Sequence, residues 1–504
     1  PTRAPHLRET VPRVSVCRVV NGLWDRMRGS RQRVATIDEA RTSPPPSVLA
    51  PVDLTDPNQV AAVMMIGARI GEILMANGTT SSDAIAQIRT VTSSYGLHYC
   101  HVDITVNTIT MNAVIGGKDR TPVTVFRVVT MLSENYHKLQ EADRLIRSIR
   151  AGATRPEMAE KILDDIDRSP IPYRNTRFLL GCAFMGAAVS ILLGGDLLMA
   201  LVGGITAFLI MGFNKVLSRN DLPYFYHCVL GGFIATIPAA IFYDFAASIG
   251  RTVVPSQVIA SGIVVLLAGL TLVQSLLDGV TGSPLTASAR FFNTALNTGG
   301  IVAGVAMGLY FTDIVGVSLP PVETMAPRPS LDGVLWRIFG SATAAAAFAI
   351  TCFAERTAII VSFITAAAGS AMYYVFLLPF GTDRFLATAA CATVVGLAGG
   401  LIARRLMIPP VITAVAGVTP FLPGSGIYRG MYAVLNEQMV VGMSNIFSAI
   451  AVCMALAGGV VFGEWLARRI RAPQLYRPYR AIKRMGRVTF QQIRRAERPR
   501  RKKR

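Results

Sequence analysis

The sequence predicts a mainly α, polytopic membrane protein. About ten membrane-spanning helices, arranged as two five-helix inverted repeats, follow a small α+β soluble domain. Three observations predict this. Charged residues are 16% and hydrophobic residues 52% of the 504, whereas a soluble domain carries about 25% charged residues. The charge is also segregated: residues 1–41 hold 9 basic and 4 acidic residues, and residues 467–504 hold 16 and 1. Of 50 basic and 30 acidic residues, 25 of each therefore lie between 42 and 466, and the net +20 sits at the two ends. Finally, ten apolar runs stand near 178–195, 197–213, 227–249, 258–277, 289–311, 335–353, 357–379, 385–403, 407–425 and 443–466. Each approaches the ~20 residues that a helix needs to cross a bilayer.

Residues 1–50 read as a disordered basic segment, rich in arginine and ending in Ser43-Pro44-Pro45-Pro46-Ser47. No apolar h-region interrupts them, so no signal peptide is expected. Residues 51–177 read as the α+β domain. Asp56, Pro57 and Gln59 have the cap, first-turn and capping-box positions of a helix whose apolar face runs through Val60, Val63, Met64, Ile70 and Leu74. A second helix covers about Ser82–Thr92. After Gly96 the period falls to two, with Cys100, Val102 and Ile104 on one face of a strand and His101, Asp103 and Thr105 on the other. Two further strands are expected around Ile109–Ile115 and Val123–Val128, then a helix opened by Ser133. Thr154-Arg155-Pro156-Glu157 reads as a capping box for one more.

The spans divide into a first repeat (178–311), an extracytoplasmic loop (312–334) and a second repeat (335–466), with a basic tail over 467–504. Lys215 and Arg219 follow span two, Arg404 and Arg405 follow span eight, and the arginine-rich tail follows span ten. Alternating spans put all three on one side, so both termini are expected in the cytoplasm. Arg251, Arg328, Arg384 and Arg429 are assigned singly to outer loops. The tail sequence Arg500-Arg501-Lys502-Lys503-Arg504 carries no zinc or RNA-binding signature, so anionic lipid rather than nucleic acid is its expected partner.

The halves share a pattern in the same order. Gly231-Gly232 resembles Gly399-Gly400; Pro255, Gly262 and Gly269 match Pro410, Gly417 and Gly424 at an offset of 155; and Gly299-Gly300 resembles Gly458-Gly459. Five spans per half would invert the second copy, as in many secondary transporters. Helix-packing glycines without duplication are the alternative.

No nucleotide-binding fingerprint, cofactor motif or metal-ligand spacing is present, and five of the seven cysteines fall in apolar spans. The His101/Asp103/Thr105 face admits a hydrolytic site, although a solvated strand face explains it more simply. Ionisable residues within spans are the stronger signal, because each is costly in lipid. Asp278, Asp244 and Glu355 are the candidate proton-coupling carboxylates, whereas Glu464 is expected to pair with Arg468. Asn293 and Asn297 share a face at i, i+4, expected against the bundle interior. Pro420, Pro423 and Gly424 would open backbone groups inside span nine, near the membrane centre and beside span four, with Thr271, Gln274 and Thr419 as polar partners for a substrate.

Several stretches resemble the bacterial threonine/serine exporter family: Pro51 to Asp56, Tyr95-Gly96-Leu97 leading into His101 to Thr105, Asp143 to Ile149, Pro255 to Phe292 with Asp278-Gly279-Val280-Thr281-Gly282, and Ile408 to Met431. The resemblance covers about residues 50–470. It implies a cytoplasmic N-terminal domain, ten spans and export of small amino acids driven by the proton gradient. Export of another small metabolite such as a dicarboxylate, and a membrane-anchored hydrolase using residues 51–170, are the alternatives.

Overall fold

The structure is a computed structural model that describes residues 53, 56–115, 121–129, 135–169, 175–220, 222–248, 250, 254–266, 268–317 and 333–470. The expected disordered segment over 1–50, the helix start at Ser133 and the basic tail beyond 470 lie outside the described residues.

Helix α1 (Pro57–Ala76) starts as its sequence requires: Asp56 Oδ1 accepts the Asn58 N–H at 2.9 Å, with Pro57 in the first turn. Gln59 reaches past Asp56, and its Oε1 accepts the Asp53 N–H at 2.9 Å. Thr80 caps α2 (Ser81–Ser94). Strands β1 (Cys100–Thr105), β2 (Thr108–Ile115) and β3 (Thr121–Val128) form an antiparallel sheet in the order β1-β2-β3. Val102 pairs with Met111, and Met111 with Val125, so the apolar residues line one face. That face packs beneath α1 and α2, while His101, Asp103 and Thr105 are exposed.

Helix α3 (Tyr136–Arg150) is capped by Asn135, whose Oδ1 accepts the Lys138 N–H at 3.2 Å. The capping box expected before α4 (Pro156–Arg168) does not form. The Thr154 hydroxyl lies 2.6 Å from Ser148 Oγ instead, and Arg155 has the cap position without a side-chain bond. A nearby hydroxyl has outcompeted the helix N–H groups for Thr154. Arg69 of α1 holds α4 through Asp164 and Asp167, at 2.7 and 2.6 Å.

The long apolar helices follow: α5 (Asn175–Leu192), α6 (Leu197–Leu217), α7 (Tyr224–Ser248), α8 (Pro255–Ile263), α9 (Ala268–Val280), α10 (Pro284–Ile314), α11 (Val334–Thr351), α12 (Arg356–Ala371), α13 (Arg384–Leu406), α14 (Pro410–Val418), α15 (Gly424–Leu435) and α16 (Met439–Ile470). Among the described residues, nine helices are long and apolar enough to cross a membrane. One of them is α1, which is committed to the sheet. Two broken pairs, α8–α9 bent by 57° and α14–α15 bent by 49°, bring the candidate spans to ten. Large side chains such as Leu180, Phe184, Leu201, Met307, Phe447 and Met454 are exposed on these helices, the outward face that lipid covers. The chain is a multi-pass membrane protein.

One span differs from the sequence reading. Span nine does not end near 425: after the break at 419–423 it resumes as α15 and runs to Leu435. Arg429 therefore lies buried within a span, not in an outer loop.

Each half repeats one set of neighbours. In the first, α5 packs on α6, α6 on α7 and α8, α7 on α8 and α10, and α9 on α10. In the second, α11 packs on α12, α12 on α13 and α14, α13 on α14 and α16, and α15 on α16. The closest crossings rest on glycine. A Cβ at Gly304 would meet the Val229 carbonyl, and one at Gly463 would meet the Thr393 carbonyl, so α7/α10 and α13/α16 approach backbone to backbone.

Candidate functional site

Broken spans four and nine lie side by side. Leu272 and Val273 of α9 share a buried cluster with Ala414 and Val418 of α14, and Phe421 and Ile427 pack against it. A polar ladder runs along α9 beside this seam. Asp278, Gln274 and Thr271 succeed one another at i, i−4 and i−7, which places them on one helix face. Arg290 and Thr294 of α10 meet that face, and Asn297 continues the same spacing along α10. Arg290 Nη1 stands 2.7 Å from Asp278 Oδ2, and Thr294 Oγ1 lies 2.9 Å from Thr271 Oγ1. Arg290, Thr294 and Asn297 share a spacing visible in the sequence, which could have revealed the partner helix.

Asp278 is fully buried and accepts the Ser81 backbone N–H on Oδ1 at 3.0 Å. It therefore joins the first turn of α2 to span four. Gln274 lies against Gly78 in the α1–α2 turn, where φ is +82° and a side chain would meet the Gln274 amide. Glu355 is the N-cap residue of α12 and takes a bidentate contact from Arg144 Nη2 at 2.7 and 2.9 Å. Asp244, late in α7, is exposed. The three carboxylates thus have different settings, and only Asp278 stands on the ladder.

In span nine Thr419 is buried, and its hydroxyl donates to the Val415 carbonyl at 3.0 Å. Pro423 is buried, while Pro420 and Gly424 are half-buried. Apart from its chain neighbours and its own helix backbone, nothing lies within 4 Å of where a Gly424 Cβ would stand, so there is open space at the first residue of α15. Asn297 is half-buried, but Asn293 is exposed rather than turned to the bundle interior. The i, i+4 spacing fixes their common side of the helix, and not which direction that side faces.

The alternative chemistries find little here. On β1, Thr105 Oγ1 donates to Asp103 Oδ2 at 3.2 Å across an exposed face. Burial pushes the neighbouring Cys100 thiol up to about 11, the opposite of an activated nucleophile. His137, Glu141 and Glu355 bring possible metal-ligand atoms within 4.8 Å of one another, but Arg144 salt-bridges both carboxylates. Glu464 pairs with Arg468 at 3.3 Å.

The ThrE family model matches residues 66–312, and the model described as "Threonine/Serine exporter, ThrE" matches residues 337–466. The chain is 54% identical over 462 residues to a "Threonine/serine exporter" of Corynebacterium glutamicum, covering 92% of this chain and 94% of the relative. It is 32% identical over 414 residues to a "Probable threonine/serine exporter" of Mycobacterium tuberculosis, covering 81% and 77%. No solved structure matches the chain. These relatives are named as exporters, not enzymes. With family matches in both halves and 54% identity across 92% of the chain to a named exporter, the chain belongs to the threonine/serine exporter family.

Proposed function

We propose that this chain exports L-threonine and L-serine across the bacterial plasma membrane in exchange for protons, with its α/β unit and both termini in the cytoplasm. The identity of 54% over 92% of the chain to a named exporter carries the substrate reading. The path runs along the seam between spans four and nine. A broken helix inside a membrane presents free backbone groups only where protein or a cavity surrounds them. An amino-acid substrate brings a carboxylate, suited to the N-terminal amides of α15 at Gly424, and an ammonium, suited to freed carbonyls. Thr271, Gln274 and Thr419, with Asn297 on α10, are the polar partners for a hydroxylated side chain. Asp278 is the first choice for the coupling carboxylate, ahead of Asp244 and Glu355.

Two five-span repeats of opposite orientation account for the paired breaks. Adding 155 to the bounds of α8 (255 and 263) gives those of α14 (410 and 418). Adding it to the turn at 264–266 gives 419–421, and adding it to the last residue of α9, 280, gives 435. The same offset matches Gln274 with the buried Arg429, so Arg429 becomes the polar counterpart at the opposite membrane face.

Cells loaded with a threonine-containing peptide test the reading. Those expressing the chain should release free threonine faster than cells without it, and an uncoupler should remove the difference. Release that ignores the uncoupler excludes proton coupling, and no added release excludes threonine export.

A further inference from the structure

A small cavity of about 20 Å³ lies between the α/β unit and the inner ends of spans nine and ten, room for one water. Thr79, Asp83 and Asp143 line it from the α/β unit, Pro410 from span nine, and Glu464 and Arg468 from span ten. Asp143 is wholly buried, and neither carboxylate oxygen accepts an aligned hydrogen bond among the described residues. The buried Thr79 hydroxyl also has no hydrogen-bond partner there. The ion partner of Asp143 is Arg147, with Nη2 2.7 Å from Oδ2. That same nitrogen donates to the Met407 carbonyl at 3.0 Å. Met407 has the left-handed conformation, φ +60°, at the turn between α13 and Pro409-Pro410. One nitrogen therefore connects a buried carboxylate to the hinge from which the broken span nine departs.

We propose that Asp143 is a proton-binding site that governs this hinge: ionised, it holds Arg147 on the Met407 carbonyl, and protonated, it releases that hold. The proton is delivered by hydronium at the cavity: one of its O–H bonds breaks to leave water as an O–H bond forms on a carboxylate oxygen of Asp143. Burial pushes the Asp143 carboxyl up to about 6, against the lowering pull of Arg147 and then Arg144. Of the other charges nearby, Asp83 comes from α2, and Glu464 and Arg468 from α16. Arg144 on α3 is turned to Glu141 and Glu355. The site is distinct from the coupling carboxylate Asp278, and its effect on transport rests on the exporter reading above.

The full-length protein provides two readouts over pH 5–8: threonine exchange in proteoliposomes at equal pH on both sides, and the thermal midpoint in detergent. Wild-type exchange should change several-fold with an inflection near pH 6. Asp143→Asn should be flat and match the wild-type rate at pH 5. Arg147→Gln removes the nitrogen that joins the carboxylate to Met407, so its exchange should be flat as well, while the pH dependence of its thermal midpoint should move upward by about one pH unit because the carboxyl has lost its counterion. If Asp143→Asn does not fold, Arg147→Gln alone decides. An exchange inflection retained in either variant, or a thermal-midpoint inflection unmoved in Arg147→Gln, overturns the proposal. The thermal midpoints separate the two readings. A pH-dependent gap between wild type and Asp143→Asn with no threonine exchange supports the proton site and sinks the substrate reading, while parallel midpoints sink the site.

Discussion

Replacing Asp278 with Asn isolates the ion pair at the foot of the polar ladder. Asn keeps an oxygen for the Ser81 N–H, so that 3.0 Å bond survives and the main loss is the charge opposite Arg290. Asp278 is 0% exposed and Arg290 13%, so the remaining guanidinium stays largely desolvated. Breaking a buried pair from one side costs roughly 3–5 kcal/mol, most of it from the stranded charge. Asp278→Asn and Arg290→Gln should therefore each destabilise the protein by about that amount, but the double variant should lose much less than their sum, a coupling of about 2 kcal/mol or more. Thermal or denaturant unfolding in detergent measures all three. The double variant also separates stability from coupling, since it should fold and exchange threonine between loaded compartments yet fail to export uphill. Strictly additive single losses refute the buried-pair reasoning. Wild-type uphill export by the double variant removes Asp278 from the coupling role.

Asp143 links stability to pH. Because its folded value, about 6, lies above the ordinary 3.8, its contribution is full below about pH 4 and is lost as pH rises through 6. This is on the order of 3 kcal/mol, so the wild-type midpoint should fall relative to Asp143→Asn across that window and run parallel above it. Glu355→Gln should cost no more than about 1 kcal/mol and retain uphill export, because Arg144 is half exposed and its pair is screened by water; loss of uphill export with stability intact would move the coupling role to Glu355. Gly304→Leu and Gly463→Leu should each prevent folding, since both side chains would enter a facing backbone carbonyl; a folded, active Gly463→Leu would contradict the close crossing in the second half. His101→Ala with Asp103→Ala should leave export unchanged, and esterase or peptidase activity lost on that substitution would revive the hydrolase reading.

The sheet and its covering helices were legible because their apolar residues change period from 3.6 to 2 after Gly96, and a half-buried strand cannot hide that alternation. Most spans were legible because lipid demands a long apolar run. Pro420, Pro423 and Gly424 marked an interruption inside span nine, but Arg429 suggests a loop, so the helix that resumes after the break and runs to Leu435 was missed. In the fold the prolines mark an internal break and the arginine is buried in the resumed helix. Thr154 misled for a local reason, the nearer Ser148 hydroxyl. The contacts that define the junction were beyond reach. Ser81 and Asp278 are 197 positions apart, and Arg147 and Met407 are 260 apart, separations that no periodicity or cap motif encodes.

The most direct measurement uses purified full-length protein in vesicles that carry the α/β unit on the outside and an acidic lumen. Proton flow out of the lumen should drive labelled threonine inward to above its external concentration. An uncoupler should discharge it, and excess serine should compete with it. Threonine that only equilibrates, with or without the proton gradient, would contradict proton-driven export by this chain.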